Sequence, residues 1–159
     1  MKHLLSALAA STLLIAAPAF AGTAADDITV NDAYVRLAPP GQAVTGAFMT
    51  FKNAGDKDHK VVKADNNASK VTELHTHTNE GGMMKMRQVK DIEVKAKGEA
   101  VLKPGGLHIM LIDLKNSLKE GENVEMTISF EDGSSKKINA PIKKPQDMMP
   151  MMDHKDHKH

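Results

Sequence analysis

Between Ile28 and Ile142 no apolar run outlasts a single strand before a turn residue cuts it. The breaks are Pro39-Pro40-Gly41, Asn53-Ala54-Gly55-Asp56, Asp65-Asn66-Asn67, Asn79-Glu80-Gly81-Gly82, Gly98, Pro104-Gly105-Gly106 and Asp132-Gly133. Glycine and asparagine admit the left-handed backbone that tight turns use, and proline fixes φ and withdraws a donor. A helix needs roughly 10 or more residues with apolar positions three and four apart, and no segment shows that period convincingly. The intervals instead carry β-branched and aromatic residues, and Val124, Met126, Ile128 and Phe130 alternate cleanly with polar neighbours. Strands are therefore expected at Ile28–Leu37, Val44–Lys52, Lys60–Ala64, Val71–His77, Met84–Val89, Ile92–Lys95, Ala100–Leu102, Leu107–Leu114, Val124–Phe130 and Lys136–Ile142. That is the pattern of an all-β sandwich. Leu114 to Glu122 has room for a helical turn, although Gly121 limits it.

Both ends differ from this middle. Lys2, the apolar stretch Leu4 to Ala17 and the small-residue site Ala19-Phe20-Ala21 read as a cleaved export signal, with cleavage after Ala21. The stretch is short for a membrane span and no second one follows, so no span is expected in the mature chain. From Lys143 the composition turns to Lys, Pro, Met, Asp and His without apolar periodicity, which reads as a disordered tail. The expected division is a signal peptide over 1–21, one folded domain over 22–142 and a tail over 143–159. A periplasmic monomer is expected.

Charge and aromatic content exclude several functions. Lys2 is the only formal charge in the leader, so the remaining basic and acidic residues balance, and only four Phe and one Tyr are present. Neither a basic nucleic-acid footprint nor a base-stacking platform is available. The chain has no cysteine. Disulfide exchange, iron–sulfur clusters and a blue-copper centre with its cysteine thiolate are thereby excluded.

The soft donors that remain are methionine and histidine. His75, Met86, His108 and Met110 are spaced by ten, twenty-one and one residues. Thioether sulfur with neutral imidazole suits Cu(I), whereas Mg2+ and Ca2+ prefer oxygen. Thioethers neither form disulfides nor need deprotonation to bind. On a strand His108 and Met110 project from one face, about 6.6 Å apart, and Leu107, Ile109 and Leu111 turn to the core. If Val71–His77 and Met84–Val89 form a hairpin around Asn79 to Gly82, His77 falls opposite Met84 and His75 opposite Met86. Met49 and Met126 read as core fillers, and His59 as a solvated loop residue.

The stretches Glu73-Leu74-His75, Gly82-Met83-Met84-Lys85-Met86-Arg87 and Lys103-Pro104-Gly105-Gly106-Leu107-His108-Ile109-Met110-Leu111 closely resemble the periplasmic copper chaperones of the PCu(A)C family. The resemblance covers nearly all of the mature chain and implies a cupredoxin-like Greek-key β-sandwich binding one Cu(I). It implies His75, Met86, His108 and Met110 as ligands, and delivery of copper to a cytochrome c oxidase subunit or its assembly factor. His77 departs from the family pattern, and with Met84 it is a candidate auxiliary ligand.

Met148, Met149, Met151 and Met152, followed by His154, His157 and His159, make a second candidate site. Its sulfur favours Cu(I) and its imidazoles accept Cu(II). Rival readings are a copper buffer for resistance, working mainly through this tail, and a zinc or nickel carrier using the tail imidazoles. A copper monooxygenase with an N-terminal histidine is disfavoured, since cleavage leaves Gly22 first. No Ser–His–Asp set or paired-carboxylate motif offers another catalytic route. The chain reads as a carrier, not an enzyme.

Overall fold

A computed structural model describes residues 22–145. The predicted leader and the Met/His cluster of the tail lie outside these residues. Ten strands form: β1 (Ile28–Arg36), β2 (Val44–Asn53), β3 (His59–Asn66), β4 (Ser69–Glu80), β5 (Met83–Gln88), β6 (Ile92–Val94), β7 (Glu99–Leu102), β8 (His108–Leu114), β9 (Asn123–Phe130) and β10 (Ser135–Lys143). All ten coincide with an expected strand, so the all-β reading holds. One sheet runs in the order β5-β4-β8-β2-β1 and the other β10-β9-β3-β6. They are joined where β1 pairs in parallel with β10, at Val35 with Ile142 and Arg36 with Lys143.

The alternation in the sequence becomes the core. Val124, Met126, Ile128 and Phe130 of β9 are buried, as are Ile109 and Leu111 of β8 and Ala47, Met49 and Phe51 of β2. Each such side chain withdrawn from water contributes roughly 1.5–3 kcal/mol, and their sum opposes the chain entropy lost on folding. The two methionines expected to fill the core, Met49 and Met126, do so.

Strand β2 is buried on both faces. Gly46 and Phe48, which point away from the core residues Ala47 and Met49, are also covered. Beyond Phe48 lies a smaller polar-aromatic layer: Tyr34 at 5.2 Å between ring centroids, and the Arg36 guanidinium 5.1 Å above the Phe48 ring. This outer face carries the candidate site.

One element is added and two expectations about local structure are corrected. The residues before β1 form a short helix, α1 (Ala24–Asp27), capped by Thr23 and Asp26. Its backbone N–H groups at Ala24 and Ala25 donate to Asp132 and Ser134 of the β9–β10 turn. No helix forms between Leu114 and Glu122. His59 is not a solvated loop residue: it is 5% exposed and opens β3. Its Nε2 lies 3.1 Å from Asp27 and its Nδ1 2.7 Å from Glu131. These carboxylates stand 32 and 72 positions away in sequence, which is why a local reading misses them.

Candidate metal centre

The hairpin of β4 and β5 turns on Gly81 and Gly82 alone, with φ of +62° and +83°. Positive φ at both central residues defines the tightest hairpin turn that matches strand twist, and glycine adopts it without a Cβ penalty. Asn79 and Glu80 therefore belong to the strand, and the register differs from the expected one. His77 lies opposite Met86, Asn79 opposite Met84, and His75 opposite Gln88. The expected pairs His75 with Met86 and His77 with Met84 are not formed. The difference is a shift of two residues, which preserves the alternation of faces. Consequently Met84 and Met86 still share a face with His75 and His77.

On the other edge of β4, His75 is directly opposite His108, and Glu73 opposite Met110. Strand β8 thus sits between β4 and β2, where Met110 pairs with Gly46. Strands β7 and β8 run one after the other along the same edge of β2, and the chain between them bulges outward. The Lys103 N–H donates to the Leu107 carbonyl across this loop, and Gly105 takes a φ of +82° at its tip. The loop brings the Gly106 carbonyl within 2.9 Å of His108 Nδ1.

That contact settles the His108 tautomer. A carbonyl can only accept, so Nδ1 carries the proton and Nε2 keeps a lone pair. In His75 the engaged nitrogen is the other one: Nε2 donates to the Glu73 carboxylate at 2.7 Å, which leaves Nδ1 over. Among the described residues, His75 Nδ1 and His108 Nε2 are buried and have no hydrogen-bond partner. Burial holds the His108 pKa below the ordinary imidazole value. The Gly106 contact opposes this, and neighbouring His77, His75 and Arg36 reinforce it. Neutral imidazole with one nitrogen fixed and the other free is the state in which histidine binds metal.

The imidazoles cluster. Ring centroids of His75 and His108 are 5.7 Å apart, those of His77 and His108 5.1 Å, and Phe48 approaches His108 to 6.2 Å. An open cleft of about 590 Å3 lies over this face, bordered by His77, Met86, His108, Met110, Phe48 and Arg36. Pro145, the last residue described, lies on the same rim. Met110 is half-buried, whereas Met86 and Met84 are exposed. As the rings stand among the described residues, no three His, Asp or Glu side chains form a ready-made metal cage. The thioethers of Met110 and Met86 are the soft donors beside the imidazoles on this face.

The structure thus brings His75, His108 and Met110 together on neighbouring strands and Met86 to the same face by way of His77. The tail residues Met148 to His159 lie outside the described part. Sequence reasoning missed Glu73 and Gly106, which orient the imidazoles, and Phe48 and Arg36, which floor the cleft. Glu73 was within reach of it, since a residue two before His75 shares its face on any strand.

A family model described as "Putative lipoprotein LpqE-like" matches residues 28–142. The protein "Putative lipoprotein Lxx21020" of Leifsonia xyli subsp. xyli is 35% identical over 123 residues, 77% of this chain and 73% of its own. Among solved structures, apo-DR1885 from Deinococcus radiodurans is 35% identical with a TM-score of 0.60, over 91% of this chain and 97% of that one. Its CuI-bound form superimposes with a TM-score of 0.61 over 73% and 77% of the two chains. The copper-bound PCuAC domain from PmoF2 shares the fold at 20% identity, with a TM-score of 0.65 over 77% of this chain and 97% of that domain.

Proposed function

Given that the chain belongs to the LpqE-like family, we propose that it is an exported copper(I) carrier of the PCuAC kind, delivering its metal to a respiratory oxidase. His75, Met86, His108 and Met110 hold the ion. The observation that carries this reading is the pair of buried, unpartnered nitrogens, His75 Nδ1 and His108 Nε2, on directly opposed strand positions. Their second nitrogens are engaged by Glu73 and Gly106, so each ring presents one donor atom. Two thioethers on the same face complete a set of soft, neutral donors suited to Cu(I). The CuI-bound form of DR1885, 35% identical, supports the choice of metal and oxidation state.

Exchange follows from exposure. Met86 is 44% exposed on the last strand of its sheet, while His108 is 3% exposed. A recipient can displace an outer thioether before the inner imidazoles, so copper can be handed over one bond at a time. Export to the periplasm rests on the leader-like first 21 residues. Among the described residues no helix is long and apolar enough to cross a membrane.

The Met148–His159 segment supports a second reading, a copper buffer serving resistance, in which the tail holds additional Cu(I) or Cu(II). Gene deletion separates the two. Loss of a delivery protein lowers oxidase activity when copper is scarce, and added copper restores it. Loss of a buffer leaves respiration intact and sensitises cells to excess copper. The first phenotype is expected, and the second alone would overturn the delivery role. X-ray absorption of the Cu(I) protein checks the donors, and a shell of nitrogen and oxygen alone would refute the methionines.

A further inference from the structure

We propose that His77 is an additional, solvent-side imidazole donor of the metal centre, exchanging with the other ligands, and that copper entering or leaving the cleft contacts it together with Met86. The proposal rests on the copper(I) reading above and adds a residue outside the four-residue spacing. Three independent features of the fold carry it. First, the two-glycine turn sets His77, and not His75, directly opposite Met86, at the pair separation of about 4.5–5.5 Å between Cβ atoms. The thioether expected to serve His75 therefore has His77 as its nearest imidazole neighbour across the hairpin. Second, the His77 ring lies 5.1 Å from His108, closer than His75 at 5.7 Å. Third, His77 borders the open cleft with Met86, His108 and Met110, while His75 does not.

The His77 ring is also uncommitted. Its one hydrogen bond among the described residues, from Nδ1 to the Gly106 carbonyl, is long at 3.4 Å, and the same oxygen accepts the shorter bond from His108. None of the described carboxylates engages it, in contrast to His75, whose Nε2 is held by Glu73 at 2.7 Å. A ring held weakly can turn toward a metal at little cost, whereas one tied to a carboxylate keeps its orientation. His75 and His108 thus form the inner, fixed part of the centre, and His77 with Met86 its outer, exchanging part.

The test uses the full chain, labelled with 15N at histidine, with ring nitrogens assigned and one equivalent of Cu(I) added without oxygen. A ring nitrogen of His77 is expected to shift together with His75 Nδ1 and His108 Nε2. If the latter two shift and His77 stays unmoved, the proposal fails while the copper site stands. If none of the three shifts, the copper reading itself falls and the proposal falls with it. Substitutions separate ligation from packing. His77→Leu is expected to lower Cu(I) affinity about tenfold against a chromophoric Cu(I) chelator, while His77→Met, which restores a soft donor, stays within about threefold of the native chain. Equal affinities for the Leu and Met variants would overturn the assignment.

Discussion

His75 and His108 face each other across β4 and β8, and each offers the nitrogen that its neighbour does not hold, Nδ1 from one and Nε2 from the other. The opposite choice of nitrogen is imposed by Glu73 and the Gly106 carbonyl. Replacing Glu73 by Leu removes the acceptor that fixes His75. Cu(I) affinity is expected to fall about 10–100-fold, the usual effect of losing an outer partner of a metal-binding histidine. Chelator competition measures it, and an unchanged constant would separate Glu73 from the site.

Met86→Leu and Met110→Leu keep bulk and remove sulfur. Thermal stability of the metal-free protein is expected to move by less than about 1.5 kcal/mol, as for other swaps that conserve volume. Cu(I) affinity should drop in both variants and one sulfur neighbour should vanish from the absorption spectrum. Large loss of stability without loss of affinity would make these methionines packing residues.

Removal of residues 146–159 is expected to abolish a second, weaker copper equivalent, including all Cu(II) taken up by the tail, and to leave one Cu(I) bound. Equilibrium dialysis at both oxidation states gives the count. Unchanged stoichiometry would reduce the tail to a solubilising extension.

The His59 bridge makes stability depend on pH. Burial opposes its charge, but hydrogen bonds and attraction from Glu131 and Asp27 outweigh burial and raise its pKa above the ordinary 6.5. A raised folded value means that its contribution is complete below the unfolded pKa and disappears as pH rises through the folded one. Two nearby carboxylates run the other way, the partner Glu131 and, in the adjoining turn, Asp132. Glu131 is lowered despite its burial, through His59 and backbone donors, and Asp132 is lowered to about 2 by Ser134 and the Ala24 N–H. Their contributions hold above the ordinary carboxylate range and are lost in acid. The metal-free protein should therefore melt highest in between, and His59→Gln should flatten the alkaline limb. Melting temperatures across the range test this, and an unaltered alkaline limb would remove His59 as its cause.

Gly55 approaches the same bridge. A Cβ placed there would stand 2.2 Å from the Asp27 carboxylate oxygen that faces His59. Gly55→Ala is expected to displace Asp27 and cost about 1–3 kcal/mol, the usual size of overpacking. Denaturant unfolding reads it, and a neutral effect would mean that α1 shifts freely.

The strands were legible in the sequence because burial on one face writes itself as alternation, clearest from Val124 to Phe130. The outer face was legible too: His108 and Met110 had to share it once Ile109 and Leu111 went inward. Hairpin register was harder. Asn79 and Glu80 are as good in a loop as at a strand end, and only the backbone of Gly81 and Gly82 decides. A two-residue error left the faces right and the neighbours wrong, so Met86 was matched to His75 when it faces His77. His59 was misread for a different reason. Its partners come from α1 and the β9–β10 turn, and nothing local marks a histidine that distant carboxylates will enclose.

Two lone pairs shut away from water have a thermodynamic side. An unsatisfied polar atom in a protein interior costs about 1–3 kcal/mol, and this fold keeps two of them side by side. On the copper reading proposed above, the ion would relieve both at once, so that binding would double as folding energy. A chain selected for stability alone would fill those positions with phenylalanine. Such a His108→Phe variant should melt higher than the metal-free native protein and carry nothing. On that reading, the two nitrogens are where robustness is exchanged for the capacity to hold an ion.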